Sequence, residues 1–109
     1  MSKMSKACEI SPKVRRKVWA RDGGCCIICG NPQAKANAHY IRRSQGGLGI
    51  EQNVVTLCQT CHDAFDNGDK RQEYGQMIQD YLKACYKNWD EQKLYYNKWD
   101  WTEKDETDQ

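Results

Sequence analysis

Six side chains in this 109-residue sequence have the types and spacing to do chemistry together: two Cys-x-x-Cys pairs, Cys26/Cys29 and Cys58/Cys61, separated by 28 residues, and the two histidines His39 and His62. Each pair presents two thiolates from one turn. Two such pairs complete a tetrahedral shell with no open position for a substrate, the pattern of a structural zinc site. Zn²⁺ is therefore assigned to Cys26, Cys29, Cys58 and Cys61. The interval between the pairs is longer than usual for four-cysteine sites, which leaves room for a functional unit. Cys25 lacks the two-residue spacing to Cys29, and Cys8 and Cys85 are isolated, so these three are read as non-ligands.

His39 falls inside that interval, and by itself it reads as a metal ligand, a catalytic base or packing. A neutral imidazole accepts a proton from water near pH 7, and a neighbouring asparagine can hold the ring. His62 opens a helix, with Asp66 one turn later on the same face, and the two make part of a site for a divalent cation. A lone histidine is more often core or surface than catalytic. The ordered set His39, Asn53 and His62 beside a four-cysteine clamp is harder to reach by accident.

The elements that must position these groups are short. Residues 1–9 lack periodicity and read as a flexible arm. Ser11-Pro12 is an N-cap followed by proline at the first helical position. Val14, Val18 and Trp19 give that helix an apolar face as far as Asp22-Gly23-Gly24. Strands are expected over Ala36–Ile41 and Asn53–Leu57, with a glycine loop at Gly46, Gly47 and Gly49. A helix follows Cys61, Asn67-Gly68-Asp69 stops it, and a longer helix runs from about Lys70 to Asn88. Its stripe of Tyr74, Met77, Ile78, Tyr81, Leu82 and Cys85 reads as core. Asp90 caps a last short helix carrying Leu94, Tyr95 and Trp99. The domain plan is thus an arm (1–9), a core (10–69), a C-terminal helical extension (70–101) and an acidic disordered tail (102–109).

The net charge of +2 hides a split: residues 1–50 carry ten Lys and Arg against Glu9 and Asp22, and the remainder is acidic. A basic half beside a metal site suits a polyanion. Arg42, Arg43, Lys35, Lys13, Arg15, Arg16 and Lys17 are the expected phosphate contacts. No element resembles a base-reading helix, so salt-dependent binding of low sequence specificity is expected. An odd cysteine count and the absence of an apolar leader after Met1-Ser2-Lys3 argue for a reducing, cytoplasmic setting over a secreted disulfide scaffold.

Residues 13–68 resemble an HNH endonuclease of the ββα-metal type, in particular the small phage and prophage enzymes with a zinc-stapled core. The resemblance rests on RDGGCCIICG, on AHYIRRSQGGLGI and EQNVVTLC for the two strands and their loop, and on CQTCHDAFDNG for the helix. It implies that His39 is the general base activating water against a phosphodiester. Asn53 would support that base by joining the loop to the first strand. His62, with Asp66 as a further ligand, would hold the catalytic Mg²⁺, Mn²⁺ or Ni²⁺. By analogy with phage members, a terminase or other packaging protein is a candidate partner, in a phage-infected or prophage-bearing bacterial cell.

One departure stands out: many members carry Asp or His before the base as a metal ligand, and this chain has Ala38. Asp66 and water could complete the shell, DNA phosphate could complete it, or cleavage could be lost. The reading is an α+β fold, a small ββα-metal core stapled by a structural four-cysteine zinc with an N-terminal helix and a C-terminal helical extension. Its expected function is a metal-dependent DNA endonuclease. A non-catalytic zinc-stapled DNA-binding module is the alternative, and a protein-interaction domain using Trp89, Trp99 and Trp101 is a third.

Overall fold

The computed structural model describes residues 3–97. In chain order these form α1 (Lys3–Cys8), α2 (Pro12–Arg21), β1 (Ala34–His39), β2 (Val54–Cys58), α3 (Gln59–Asp66) and α4 (Arg71–Cys85), with single 3-10 turns at Arg43–Gln45 and Glu91–Leu94. The expected tail, Trp99 and Trp101 lie outside the described residues. No helix among those described is long and apolar enough to cross a membrane.

Helix α2 starts where its cap dictates: the Ser11 hydroxyl accepts the Val14 N–H at 3.2 Å, and Pro12 fills the first turn. It ends at Asp22, where Gly23 and Gly24 take positive φ. Val18 is fully buried against Ala36 and Val54, flanked by Ile10 and Val14. Trp19, expected on that face, is instead 41% exposed.

The two strands pair antiparallel, with Ala34 opposite Cys58, Lys35 opposite Leu57, Ala38 opposite Val55 and His39 opposite Val54. The register slips by one between Lys35 and Ala38, and an extra residue of this kind exchanges the faces of a strand. Ala36 accordingly packs with Val18, whereas Ala38 enters the main core with Val55, Leu57, Phe65, Ile78 and Leu82. Every residue of β2 is buried. Both strands sit slightly apart from the expected spans: pairing starts at Ala34 opposite Cys58, and past His39 and Val54 the Tyr40 N–H still donates to the Asn53 carbonyl at 2.8 Å.

Arg21 and Asp22 tie three elements together. Arg21 donates to both Asp22 carboxylate oxygens at 2.7 and 3.2 Å, to the Glu51 and Val54 carbonyls at 2.6 and 2.7 Å, and to the Tyr86 hydroxyl at 3.0 Å. Asp22 in turn accepts the Thr56 N–H at 2.8 Å and the Tyr81 hydroxyl at 2.6 Å. Burial disfavours the Arg21 charge, but its bonds to Asp22 and Tyr86 outweigh that and hold the guanidinium firmly protonated. Such a buried, fully bonded pair fixes geometry more than it adds stability.

Residues 3–8, expected within a flexible arm, form α1, and both Ala7 and Cys8 are buried. The reason is a close approach at Gly49, where a Cβ would collide with the Glu9 carbonyl and the N–H reaches Ala7 O at 3.1 Å. The other end of the chain closes on the same loop: Leu48 donates to Leu94 O at 2.8 Å and Tyr96 to Gly46 O at 2.6 Å. Helix α4 buries Ile78 and Leu82 and half-buries Tyr74 and Tyr81. Met77 and Cys85, expected on its core stripe, are exposed because only one narrow line of the helix meets α3 and β2. Trp89 packs edge-on to Tyr40 with centroids 5.9 Å apart and donates to Gln52 O at 2.8 Å, so it is engaged within the fold.

Fully buried Asn53 is the tightest constraint on the loop. Its Oδ1 accepts the Ile41 N–H at 2.8 Å, and its Nδ2 donates to the Ile41 and Leu48 carbonyls at 3.2 and 2.8 Å. Asn53→Ala leaves one buried donor and two acceptors without this partner, and is expected to lower unfolding stability by about 3 kcal/mol. Urea denaturation checks this, with exposed Lys13→Ala as a control that shifts stability by less than about 0.5 kcal/mol. Equal midpoints for the two variants would remove Asn53 as the tie.

Candidate metal centre and nuclease pocket

All four sulfurs of Cys26, Cys29, Cys58 and Cys61 lie within 4.8 Å of one another, and Cys29 Sγ and Cys58 Sγ are 3.6 Å apart. A tetrahedral shell with bonds of about 2.3 Å needs sulfurs about 3.8 Å apart, so the four thiols fit a metal such as zinc. Local backbone places them. Gly30 donates to Cys26 O and Cys26 to Asn31 O, both at 2.9 Å, closing the first turn, and Ile27 donates to Thr56 O at 3.1 Å, pinning it to β2. Cys58 caps α3 through its sulfur, which accepts the Cys61 N–H at 3.5 Å.

The thiols also need positive charge. Burial works against the Cys26 thiolate, yet N–H donors at Cys29, Cys58 and Ile28 bring it down to about 7. Cys61 is pushed well up, first by burial and then by the sulfurs beside it. Four thiolates cannot share this space without a cation, which is the chemistry of a metal shell. Cys25 turns away, its sulfur 3.7 Å from Asp22 O, and Cys8 and Cys85 lie outside the cluster.

The second thiol pair delivers His62 directly, because the residue after Cys61 is the fourth of α3. His62 Nε2 lies 3.0 Å from Asp66 Oδ2 one turn along. Adjacent ligands of an octahedral ion with bonds of about 2.1 Å are themselves about 3.0 Å apart, so this pair has the spacing of one edge of such a shell.

A cleft of about 460 Å³ brings His39 from β1 together with His62, Asp66, Arg42 and Arg43. Asn37, Ser44 and Asn67 also line it. Sequence reasoning passed over these three, although Asn37, two residues before His39 on a strand, had a readable signal. Arg42 is braced by Asp66 O at 2.7 Å and Arg43 by Ser5 O at 3.3 Å.

His39 is oriented by a group that only the folded chain supplies. Its Nε2 is 2.8 Å from the Cys8 carbonyl of α1. A carbonyl can only accept, so Nε2 carries the proton and Nδ1 keeps its lone pair in the neutral ring. Burial lowers the pKa of His39, Arg43 adds to the effect, and the Cys8 carbonyl works the other way.

The remaining sequence candidates separate. Arg15, Arg16 and Lys35 line a different groove, Lys17 pairs with Glu51 at 3.6 Å, and Lys13 lines neither. Ala38 changes meaning. Its side chain is fully buried in the main core with Val55, Leu57 and Phe65 and does not line the cleft.

Comparison with known proteins addresses the same stretch. A sequence model described as HNH, HNH endonuclease, matches residues 26–68. Anaredoxin from Nostoc sp. (strain PCC 7120 / SAG 25.82 / UTEX 2576) is 34% identical over 58 residues, which is 52% of this chain and 76% of that protein. The matched range opens on the first thiol of the cluster and closes just past α3, taking in both strands and the loop that Asn53 ties. The chain therefore belongs to the HNH endonuclease family.

Proposed function

We propose that this chain is a metal-dependent DNA endonuclease of low sequence specificity, built on a structural Zn²⁺ held by Cys26, Cys29, Cys58 and Cys61. One observation carries the reading: in a cleft bordered by Arg42 and Arg43, His39 is held with Nδ1 as the free acceptor beside the His62–Asp66 pair.

The chain's own groups divide the work. Arg42 and Arg43 hold the scissile phosphate, their guanidinium groups matching its oxygens. His39 Nδ1 takes a proton from water, and the resulting hydroxide attacks phosphorus as the bond to the 3′ oxygen breaks. His62 and Asp66 would hold a divalent cation through one nitrogen and one oxygen. When bound, that cation, Mg²⁺, Mn²⁺ or Ni²⁺, offsets charge on the phosphate and the leaving oxygen. Ala38, inside the core, adds no ligand, so His62 and Asp66 would hold a cation that keeps water and phosphate oxygens, which Mg²⁺ tolerates. A packaging partner draws on the family resemblance alone and forms no part of this proposal.

Three outcomes follow. Supercoiled plasmid incubated with each cation is relaxed or linearised, and His39→Ala lowers the rate at least about a hundredfold. Equal rates in both proteins would leave the non-catalytic DNA-binding module as the better reading. The rate against pH is level above the usual histidine value of 6.5 and falls as pH drops through the lowered His39 pKa, because protonation occupies the accepting nitrogen. The burial contribution of His39 to stability is lost in the same direction, since the unfolded chain takes up the proton first. An acid limb centred above 6.5 would contradict this. Purified protein carries about one zinc per chain, and its chelation unfolds the domain, as read by circular dichroism. A stable, metal-free fold would refute the zinc staple.

A further inference from the structure

Beside the nuclease cleft lies a second groove, between α2 and β1, of about 410 Å³. Trp19, Arg15 and Arg16 form its helical wall, and Lys35 and Ala36 its strand wall. Asn37 lines both this groove and the cleft that contains His39, so the two adjoin at that residue.

Two observations define what would fit. Trp19 is 41% exposed at the end of α2, and Gly24 lies against one side of its indole, where an added Cβ would sit 3.2 Å from Cζ2. The ring is thus braced by backbone while open to a partner. Arg15, Arg16 and Lys35 make no ion pair among the described residues, and no carboxylate lines the groove. An indole flanked by free cations suits a base with its phosphates: stacking on the ring, charge on the backbone. A base pair inside a duplex is stacked on both faces and cannot offer one to an indole.

We propose that this groove is a subsite for unpaired DNA nucleotides next to the scissile phosphate, with Trp19 as the stacking platform. The proposal rests on the nuclease reading of the neighbouring cleft and narrows its substrate to DNA with a single-stranded segment beside the cut. Arg15, Arg16 and Lys35 hold the strand as it leaves the cleft.

Fluorescence anisotropy, with the full chain and no added divalent cation, tests it on three labelled probes: a blunt duplex, the same duplex with a single-stranded overhang, and the single strand alone. Wild type is expected to bind the overhang probe more tightly than the blunt one. Trp19→Ala weakens overhang and single-strand binding at least about fivefold and leaves the blunt duplex unchanged, while Trp19→Phe keeps most of the preference. Equal binding of the overhang probe by wild type and Trp19→Ala overturns the proposal. If Trp19→Ala weakens every probe, Trp19→Phe decides: recovery confined to the probes with unpaired nucleotides supports the subsite, and any other pattern overturns it. Plasmid cleavage indifferent to His39, alongside an overhang preference that needs Trp19, would sink the nuclease reading and leave the groove. The opposite pair of results would sink only the groove.

Discussion

Four sulfurs confined within 4.8 Å of one another set the terms for the rest of the molecule. As thiols they have little reason to share so small a space, and as thiolates they repel unless a cation joins them. A two-stranded sheet is marginal on its own, and a domain of this size buries a modest core. The cluster closes the far end of the strand pair by tying the turn before β1 to the junction of β2 and α3. Because Cys58 caps α3 and Cys61 sits in its first turn, the same constraint fixes where that helix begins and which way His62 points.

The near end of the strand pair is closed by hydrogen bonds. Asn53 saturates the backbone on both sides of the loop, at Ile41 and Leu48, so the chain leaving His39 has one path available. Behind it, Arg21 and Asp22 bind α2 to β2 and α4 through a network whose members are satisfied by one another. His39 and His62 thus lie between two clamps of different chemistry. Their separation is set by strand register and helix start, not by loop conformation, so the two are held on rigid elements.

The cleft itself is completed from a distance. The carbonyl that selects the His39 tautomer belongs to Cys8 of α1, and the carbonyls bracing Arg42 and Arg43 belong to Asp66 and Ser5. Segments at opposite ends of the described chain, residues 3–8 and 94–96, both dock on the loop at 46–49. The cleft thus gathers a histidine with an accepting nitrogen, a nitrogen–oxygen pair 3.0 Å apart and two braced guanidinium groups. The neighbouring groove sets an exposed indole beside Arg15, Arg16 and Lys35.

Where the chemistry depended on local spacing, the sequence was sufficient by itself. The two Cys-x-x-Cys turns, the Ser11-Pro12 helix start, the strand-forming run at Val54–Leu57 and the i, i+4 relation of His62 and Asp66 are all written within a few residues, because turns, caps and helix faces are short-range geometry. What needed the tertiary structure was long-range or hidden by symmetry of pattern. Residues 1–9 carry no periodicity, and α1 gains its role only by meeting Gly49 and His39 across the fold. A one-residue slip between Lys35 and Ala38 leaves no trace in composition, yet it puts Ala38 in the core and turns an apparent missing ligand into a packing position. Trp19 reads as core from its spacing and is exposed because Val18, with Val14 and Ile10 beside it, fills the gap between α2 and the sheet. Residue type and spacing fix which groups can react; only packing, which depends on how distant surfaces fill one another's gaps, decides which of them face the same cleft.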